Sequence, residues 1–223
     1  MAKPYFREVP NLQYVSRNAN EQNISDYVEV KNLFKRGKLR EDIFGNLNFF
    51  TKYQIIGDER PDQVAFKTYG DSTLDWVVLL ANNILNIYDE WPLPQTVFND
   101  YLLDKYGSYS ALESTHHYET LEVKNSNGIV VVPAGLQVPS NFSITYYDTV
   151  LESEVTKTGI VEEITNYQYE QKIEDDKRNI FLLKPIYLNV VFNDLDSIMP
   201  YKKGGAQYVN STTKKVDNIK IYE

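Results

Sequence analysis

The sequence has no cysteine, only two histidines and no long apolar run. Without cysteine the chain can form no disulfide, no thiolate metal site and no cysteine nucleophile. The histidines, His116 and His117, are adjacent, whereas a zinc site usually needs three or four ligands. No stretch approaches the roughly 18 apolar residues that span a bilayer, and residues 1–14 lack the hydrophobic run of a secretory signal. We therefore expect no membrane span, no metal and no cofactor.

Basic side chains are outnumbered by acidic ones. The chain has 23 Lys and Arg against 31 Asp and Glu, for a formal charge of −8. A general nucleic-acid binder shows a basic footprint, so we expect no nucleic acid among the partners. The imbalance is uneven, since residues 1–60 carry ten basic and eight acidic side chains while residues 61–120 carry two and nine. A mildly basic front and an acidic middle favour separate contact surfaces.

Tyrosine, in contrast, is abundant, with 18 copies among 223 residues. Its ring is apolar and its tip is polar, so tyrosine suits interfaces as well as cores. A chain of this length has room for one or two domains with a sizeable core. We expect a folded protein that carries more interface-suited side chains than its own core needs.

The first 27 residues show no clear helical or strand period, and two prolines disfavour a helix around them. Three aromatic residues, Tyr5, Phe6 and Tyr14, are spaced along this segment. One interpretation is a frayed terminus. The other is an extended arm whose rings anchor on a neighbouring protein, because disordered tails are usually poor in aromatic residues.

A basic strip follows a short predicted strand at residues 27–30. It contains Lys35, Arg36, Lys38 and Arg40, with leucine and phenylalanine between them. Such a strip is either a solvated loop or helix face, or a docking strip for an acidic protein surface. A single short run is weak evidence for nucleic-acid binding.

The next segment predicts a strand, two helices and a second strand. Residues 47–56 are apolar, aromatic and β-branched, as in a strand. Pro61 begins a first helix that Gly70 ends, and polar residues at 71–73 cap a second helix. The apolar stretch at 85–88 predicts a short closing strand.

The second half of the chain changes its period to two. After a helix within residues 91–107, the pattern predicts several strands from residue 116 onward and a helix at 165–178. A buried strand and an amphipathic helix at 185–199 follow. The last 24 residues are expected to be loose, apart from a strand at 219–222.

Motifs for catalysis are absent from the sequence. Gly204-Gly205 lacks the spacing of a phosphate-binding loop, and no nucleophile elbow occurs. Side chains of His116 and His117 would point to opposite faces of a strand and could not easily share an ion. Acidic pairs such as Glu162-Glu163 diverge in the same way. A hydrolase with two distant carboxylates stays open as a hypothesis, since sequence alone cannot bring them together.

A set of spaced motifs lies within residues 53–92: Tyr53-x-Ile55, Gly57-Asp58, Val64-Ala65, Tyr69-Gly70-Asp71, Trp76 and Asn82. This set resembles a LysM module, a small βααβ domain. The usual Gly-Asp-Thr/Ser-Leu opening is replaced by Gly57-Asp58-Glu59-Arg60-Pro61, and the closing Gly-x-x-Leu-x-Ile-Pro by Glu90-Trp91-Pro92-Leu93. Those two loops form the groove of LysM modules that bind N-acetylglucosamine polymers, so the replacements argue against sugar binding.

A wider combination of motifs extends over most of residues 1–200. It comprises Lys31–Arg36, Glu59-Arg60-Pro61, Trp76–Leu80, Asp89-x-Trp91-Pro92, Tyr106-Gly107, His116-His117-Tyr118, Tyr167-x-Tyr169-Glu170 and Lys177-Arg178-x-Ile180. This combination resembles the small baseplate wedge subunit of T-even-like contractile phage tails, the gene product 53 type. The resemblance implies a structural virion protein, made in the host cytoplasm, that joins neighbouring wedges into a six-fold baseplate. The implied partners are the lysozyme-like sheath-initiator subunit and the large ring-forming wedge subunits.

The expected fold class is α+β, with a LysM-like domain between an extended N-terminal arm and a β-rich C-terminal region that contains a late amphipathic helix. The expected boundaries are 1–45, 46–107 and 108–223. Tyrosine, tryptophan and arginine dominate interface hot spots. The interface candidates are therefore Tyr5, Phe6, Tyr14, Lys35, Arg36, Lys38, Arg40, Trp91, Tyr118, Tyr169 and Arg178. The alternative function is a glycan-binding module or the targeting part of a cell-wall hydrolase.

Overall fold

The computed structural model describes residues 3–15, 27–204 and 207–216. Over these residues the chain is a mixed α+β fold, as the sequence predicts, and it has no helix long and apolar enough to cross a membrane. The described helices are Tyr5–Glu8 (α1), Glu41–Phe44 (α2), Pro61–Tyr69 (α3), Asp75–Ala81 (α4), Ile87–Glu90 (α5), Gln95–Tyr106 (α6), Tyr109–Leu112 (α7), Asn166–Lys177 (α8) and Leu188–Ile198 (α9).

Strands within the same residues form several small sheets. They are Asn11–Val15 (β1), Tyr27–Lys31 (β2), Phe50–Gln54 (β3), Thr115–Thr120 (β4), Val123–Lys124 (β5), Val130–Val132 (β6), Gln137–Val138 (β7), Ile144–Asp148 (β8), Ser153–Lys157 (β9), Val161–Thr165 (β10), Asn179–Leu183 (β11), Tyr208–Asn210 (β12) and Thr213–Lys215 (β13).

The chain divides into two compact units. Unit 1 contains residues 1–91 and 179–223, and unit 2 contains residues 92–178. This division differs from the expected three consecutive segments, because the chain leaves unit 1 after α5 and returns to it at β11.

Strand β3 finds its partner far along the chain. It pairs antiparallel with β11, with Tyr53 opposite Ile180. The prediction of a closing strand at 85–88 is therefore wrong, since α5 occupies Ile87–Glu90. The side chain of Asn86 accepts a hydrogen bond from the Tyr88 backbone N–H, a local N-cap that favours a helical turn over a strand.

Helices α3 and α4 supply much of the unit 1 core. Pro61 lies at the start of α3, where its fixed φ suits helix entry, and Gly70 ends the helix at φ 76°. Val64 and Ala65 of α3 are buried. Buried Trp76, Val77, Val78 and Ala81 of α4 and Leu182 and Leu183 of β11 join them in one cluster.

The described part of the N-terminal segment is folded into unit 1, so the expectation of an extended arm is wrong there. Strand β1 lies between β13, its parallel neighbour, and β2, its antiparallel neighbour, in a sheet of order β12-β13-β1-β2. Val9, just before β1, is almost fully buried. Residues 16–26 lie outside the described part of the chain.

The same sheet corrects the expectation of a loose C-terminus. Strands β12 and β13 form a hairpin, and β13 pairs with β1, which lies about 200 positions earlier in the chain. The predicted strand at 219–222 lies outside the described residues. Helix α9 confirms the predicted amphipathic helix, with Val191 and Leu195 buried in the unit 1 core.

Unit 2 is contiguous in sequence and has two small apolar clusters. Phe98, Leu102 and Leu112 form one cluster, from α6 and α7. Val123, Val132 and Ile160 form the other, beside the β5–β6 and β8–β9 hairpins. A three-stranded sheet of order β10-β4-β7 completes the unit.

Candidate functional site

Two buried carboxylates of unit 2, Glu170 and Asp148, serve as structural anchors. Glu170 of α8 accepts hydrogen bonds from Lys105 Nζ at 2.7 Å and Tyr106 Oη at 2.9 Å, both from α6. Burial pushes the Glu170 pKa upward, but these hydrogen bonds outweigh it and the pKa lies below its ordinary value. A carboxylate held in its ionised form is poorly suited to donate a proton, so this arrangement favours helix pairing over acid catalysis.

Asp148 is a second anchor, only 2 % exposed. Its carboxylate accepts hydrogen bonds from Ser126 through the backbone N–H at 3.0 Å and Oγ at 2.7 Å, and from the Val150 N–H at 2.9 Å and the Leu151 N–H at 3.3 Å. The Ser126 hydrogen bonds, reinforced by those two amides, lower the Asp148 pKa to about 2. Asp148 thus ties the β5–β6 turn to the β8–β9 turn.

The two histidines contact each other, contrary to the expectation that they point to opposite faces. The Nδ1 atoms of His116 and His117 are 2.8 Å apart. The pairing of β10 with β4 shifts register between Ile164 and Thr165, and a β-bulge re-aims the side chain beside it. Tyr169 stacks on the His116 ring, with centroids 3.9 Å apart.

No metal centre accompanies this pair. Within residues 3–15, 27–204 and 207–216, no group of three or more His, Cys, Asp or Glu side chains is arranged to hold a metal ion. His117 Nε2 instead lies 3.1 Å from a Glu119 carboxylate oxygen, which Lys172 also contacts. These contacts join β4 to α8.

Unit 1 contains a groove of about 890 Å³. We refer to it below as the groove. One wall is α1, with Phe6 and Arg7. A second wall is the segment that follows β2 and contains Leu33 and Arg36, and the rest comes from α4 and the residues that lead into α5.

Two aromatic residues, Tyr5 and Trp76, fix the walls of the groove relative to each other. The Tyr5 hydroxyl accepts a hydrogen bond from the Gly37 backbone N–H at 2.8 Å, and its ring lies 5.7 Å from that of Trp76. The Trp76 indole N–H donates to the Lys3 carbonyl at 2.9 Å. Because these contacts tie α1 to α4, the wall that carries Phe6 is fixed before any partner arrives.

Apolar side chains of the groove remain open to solvent. Phe6 is 63 % exposed, Leu33 is 72 % exposed and Leu85 is 65 % exposed. A contiguous exposed apolar surface on a folded protein often marks a binding site.

Cationic side chains line the same groove. Arg7, Lys31, Lys35 and Arg36 line the groove, with Asp75 as the carboxylate among the lining residues. Lys35 is committed within unit 1, since its Nζ donates to the Met199 and Pro200 carbonyls at 2.7 and 3.0 Å. Burial, together with nearby Lys202, lowers the Lys35 pKa.

The structure brings four of the sequence-predicted interface residues together. Tyr5, Phe6, Lys35 and Arg36 all line the groove. Tyr5 and Lys35 hold its walls by hydrogen bonds, whereas Phe6 and Arg36 are exposed. Sequence reasoning missed Leu33, Leu85 and Ile87, and the assignment of 85–88 to a strand concealed the last two.

Other predicted residues of unit 1 lie outside the groove lining. Tyr14 is on β1 and partly exposed. Lys38 forms an exposed ion pair with Glu41 at 3.3 Å. Arg40 pairs with Asp42 at 2.9 Å, and this hydrogen bond together with Asp194 raises the Arg40 pKa.

Trp91 is placed differently from the expectation of an interface residue. It is 5 % exposed, and its indole N–H donates to the Glu59 carbonyl at 2.9 Å. Its ring is part of the unit 1 core cluster, so Trp91 stabilises the fold and offers little surface to a partner.

The remaining candidates belong to unit 2. Tyr118 is half-buried on β4, opposite Glu163 of β10, and Tyr169 lies against the histidine pair. Arg178 follows α8, with its Nε 3.8 Å from an Asp175 carboxylate oxygen. The interface roles of these three residues stay predictions.

The loops that differ from a LysM module are occupied by contacts within the chain. Glu59 accepts hydrogen bonds from Tyr53 Oη at 2.7 Å and the Ile56 N–H at 3.3 Å, and it also pairs with Lys67. Burial and the Glu59 hydrogen bond raise the Tyr53 pKa to about 12. Together with the Trp91 bond to Glu59, these contacts link the two loops to each other.

Comparison with known families decides the class of the protein. The family model described as base plate wedge protein 53 matches residues 6–133, more than half of the chain. The chain belongs to the base plate wedge protein 53 family. No curated protein matches the sequence.

For a base plate wedge protein, the expected setting is the tail baseplate of a phage virion, and the expected role is structural. The family match begins at Phe6 and includes almost the whole groove lining, from α1 to α5. The part of the wedge protein that forms the groove is therefore a part that the family model describes.

Proposed function

We propose that this wedge protein connects neighbouring wedges into a closed six-fold baseplate through protein–protein contacts and without catalysis. The observation that carries the proposal is the family match over residues 6–133. The exposed apolar and cationic groove of unit 1 adds support, because a connector needs surfaces that remain open after folding.

Ring closure requires heterologous contacts, in which different patches of successive subunits meet head to tail. We propose that the partners are the lysozyme-like sheath-initiator subunit and the large ring-forming wedge subunits, and that assembly takes place in the host cytoplasm. The uneven charge of the chain, basic in residues 1–60 and acidic in residues 61–120, supports separate patches for separate partners.

We also propose that unit 1 contains a LysM-like arrangement with an insertion. Strand β3, helices α3 and α4 and strand β11 follow the βααβ order, with unit 2 inserted before the last strand. Glycan binding has less support, since Glu59 and Trp91 link the two loops that would form a sugar groove. A peptidoglycan pull-down with the full chain is expected to retain none of it.

The function is tested by removing the protein from an infection and restoring it from a plasmid. Without it we expect separate wedges and no closed baseplates by electron microscopy of the lysate, and the plasmid copy restores six-fold baseplates. A plasmid that carries a stop codon early in the gene is the matched control. Closed, contractile tails formed without the protein would refute the proposed role.

A further inference from the structure

The groove of unit 1 combines an apolar surface with a cationic rim. Phe6, Leu33 and Leu85 are each more than half exposed, on three different walls. A surface of this kind is unfavourable in water, and burial against a partner removes that cost in proportion to the apolar area covered.

Two guanidinium groups on the rim are available to a partner. Arg7 and Arg36 line the groove, are exposed and form no ion pair with any residue that the structure describes. Lys31 and Lys35 add positive charge nearby, although both donate to carbonyl oxygens of unit 1. Unpaired arginines beside an apolar surface match carboxylates on the opposite surface.

Carboxylates of unit 1 neutralise this rim incompletely. Asp75 accepts a hydrogen bond from the Trp76 N–H at 2.8 Å, and its burial raises its pKa. Glu90 accepts hydrogen bonds from the backbone N–H groups of Asn86 and Leu85 at 2.8 and 2.6 Å. These bonds and, to a smaller extent, the positive charge of Arg36 lower the Glu90 pKa, so Glu90 offsets part of the Arg36 charge. Four cations against one lining carboxylate leave the groove positive, in a chain whose formal charge is −8.

The groove is also preorganised. Hydrogen bonds of Tyr5 and Trp76 fix α1 against α4, so a partner does not have to order that wall on binding. Preorganisation lowers the entropic cost of association.

We propose that the groove binds an acidic amphipathic segment of a neighbouring baseplate subunit, with apolar side chains on one side and at least two carboxylates that pair with Arg7 and Arg36. This inference rests on the proposed function for the source of the segment. Its chemistry rests on the groove alone.

Photocrosslinking in assembled tails tests the occupant. The photoreactive residue p-benzoylphenylalanine replaces Leu85 in the groove, and in a matched control it replaces Ile56, which is exposed elsewhere on unit 1. We expect position 85 to crosslink to another subunit, through a peptide with apolar residues and an excess of Asp and Glu. A basic peptide, DNA, residues 217–223 of the same chain, or no crosslink above the Ile56 control would overturn the inference.

The same tails separate this inference from the proposed function. Mass spectrometry first shows whether the chain is present in them. If it is absent from purified tails, the proposed function fails. If it is present and position 85 fails to crosslink to an acidic segment, only the groove inference fails.

Peptide binding tests the chemistry with purified protein. Fluorescence anisotropy measures a labelled helical peptide of leucine and glutamate and its leucine–lysine counterpart. We expect only the glutamate peptide to bind, more weakly as salt rises, and R7E/R36E to weaken it by about tenfold or more. The matched control K52E, at an exposed lysine outside the groove, should leave binding unchanged. Equal binding of both peptides, or an equal loss in K52E, would overturn the inference, with circular dichroism checking that each variant is folded.

Discussion

Replacing Asn82 by leucine should destabilise unit 1 through strand β11. The Asn82 amide nitrogen donates to the Phe181 carbonyl at 2.9 Å, and its oxygen accepts from the Phe181 N–H at 2.7 Å. The same nitrogen donates to the Val78 carbonyl at 2.8 Å. The side chain therefore acts as a strand partner on the edge of β11 that β3 does not cover.

The cost follows from the groups left behind. Leucine has the same branching at Cγ but cannot pair with either backbone group of Phe181. An unsatisfied buried polar group costs about 1–3 kcal/mol, and partial access of water to this site offsets some of it. We expect N82L to lower the free energy of unfolding by about 2–4 kcal/mol, and N82D, which keeps an acceptor but loses the donor, to lie between wild type and N82L.

Urea unfolding followed by tryptophan fluorescence measures this change. Both tryptophans, Trp76 and Trp91, are in unit 1, so their emission reports that unit alone. The matched control is N189L, on the exposed side of α9, which should change stability by less than about 0.5 kcal/mol. If the free energy of unfolding of N82L lies within about 0.5 kcal/mol of wild type, and the dependence on urea concentration is unchanged, Asn82 does not stabilise β11 in this way.

Three further predictions concern single anchors. Wild type should be more stable than D148N above pH 3.8, the ordinary carboxyl pKa, and this difference should fade as pH falls toward the folded-state Asp148 pKa of about 2. A difference in melting temperature between the two proteins that stays constant from about pH 5 to about 2 would contradict this. E170A should lower the free energy of unfolding of unit 2 by about 2 kcal/mol. In a double-mutant cycle its effect should not add to that of K105M, whereas strict additivity would show that the Lys105–Glu170 pair contributes nothing. G70A should lower the free energy of unfolding by about 1 kcal/mol, because alanine disfavours the backbone φ of 76° that Gly70 adopts. A Cβ there meets no atom within 4 Å, so the cost is backbone strain alone, and G70N should cost less. Equal urea midpoints for wild type and G70A would exclude this strain.

Local elements were predictable where local residues determine them. Pro61 and Gly70 mark the two ends of α3, and the apolar period of residues 185–199 predicts α9, because caps and periodicity act within a few turns. The partner of β3 was not predictable in this way. The pairing of Tyr53 with Ile180 is a long-range choice, and no nearby residue encodes it.

The candidate site, too, was predictable only in part. Aromatic and basic composition singled out Tyr5, Phe6, Lys35 and Arg36, and the structure brings all four to one groove. Leu85 was missed because an apolar residue in a short run looks like core until its neighbours are known. Composition predicts Trp91 as an interface residue because it cannot distinguish a buried indole from an exposed one.

The insertion of unit 2 between α5 and β11 determines the order in which the chain can mature during synthesis. Unit 2 is contiguous, so it can fold as soon as residue 178 has left the ribosome. Strand β3 is synthesised about 130 residues before its partner β11. At about 5–20 residues per second, this interval is on the order of 10 s of translation. Until then the apolar face of α4 lacks the strand that packs against it. The unit that carries the groove is thus completed after unit 2, and only once β11 has been made.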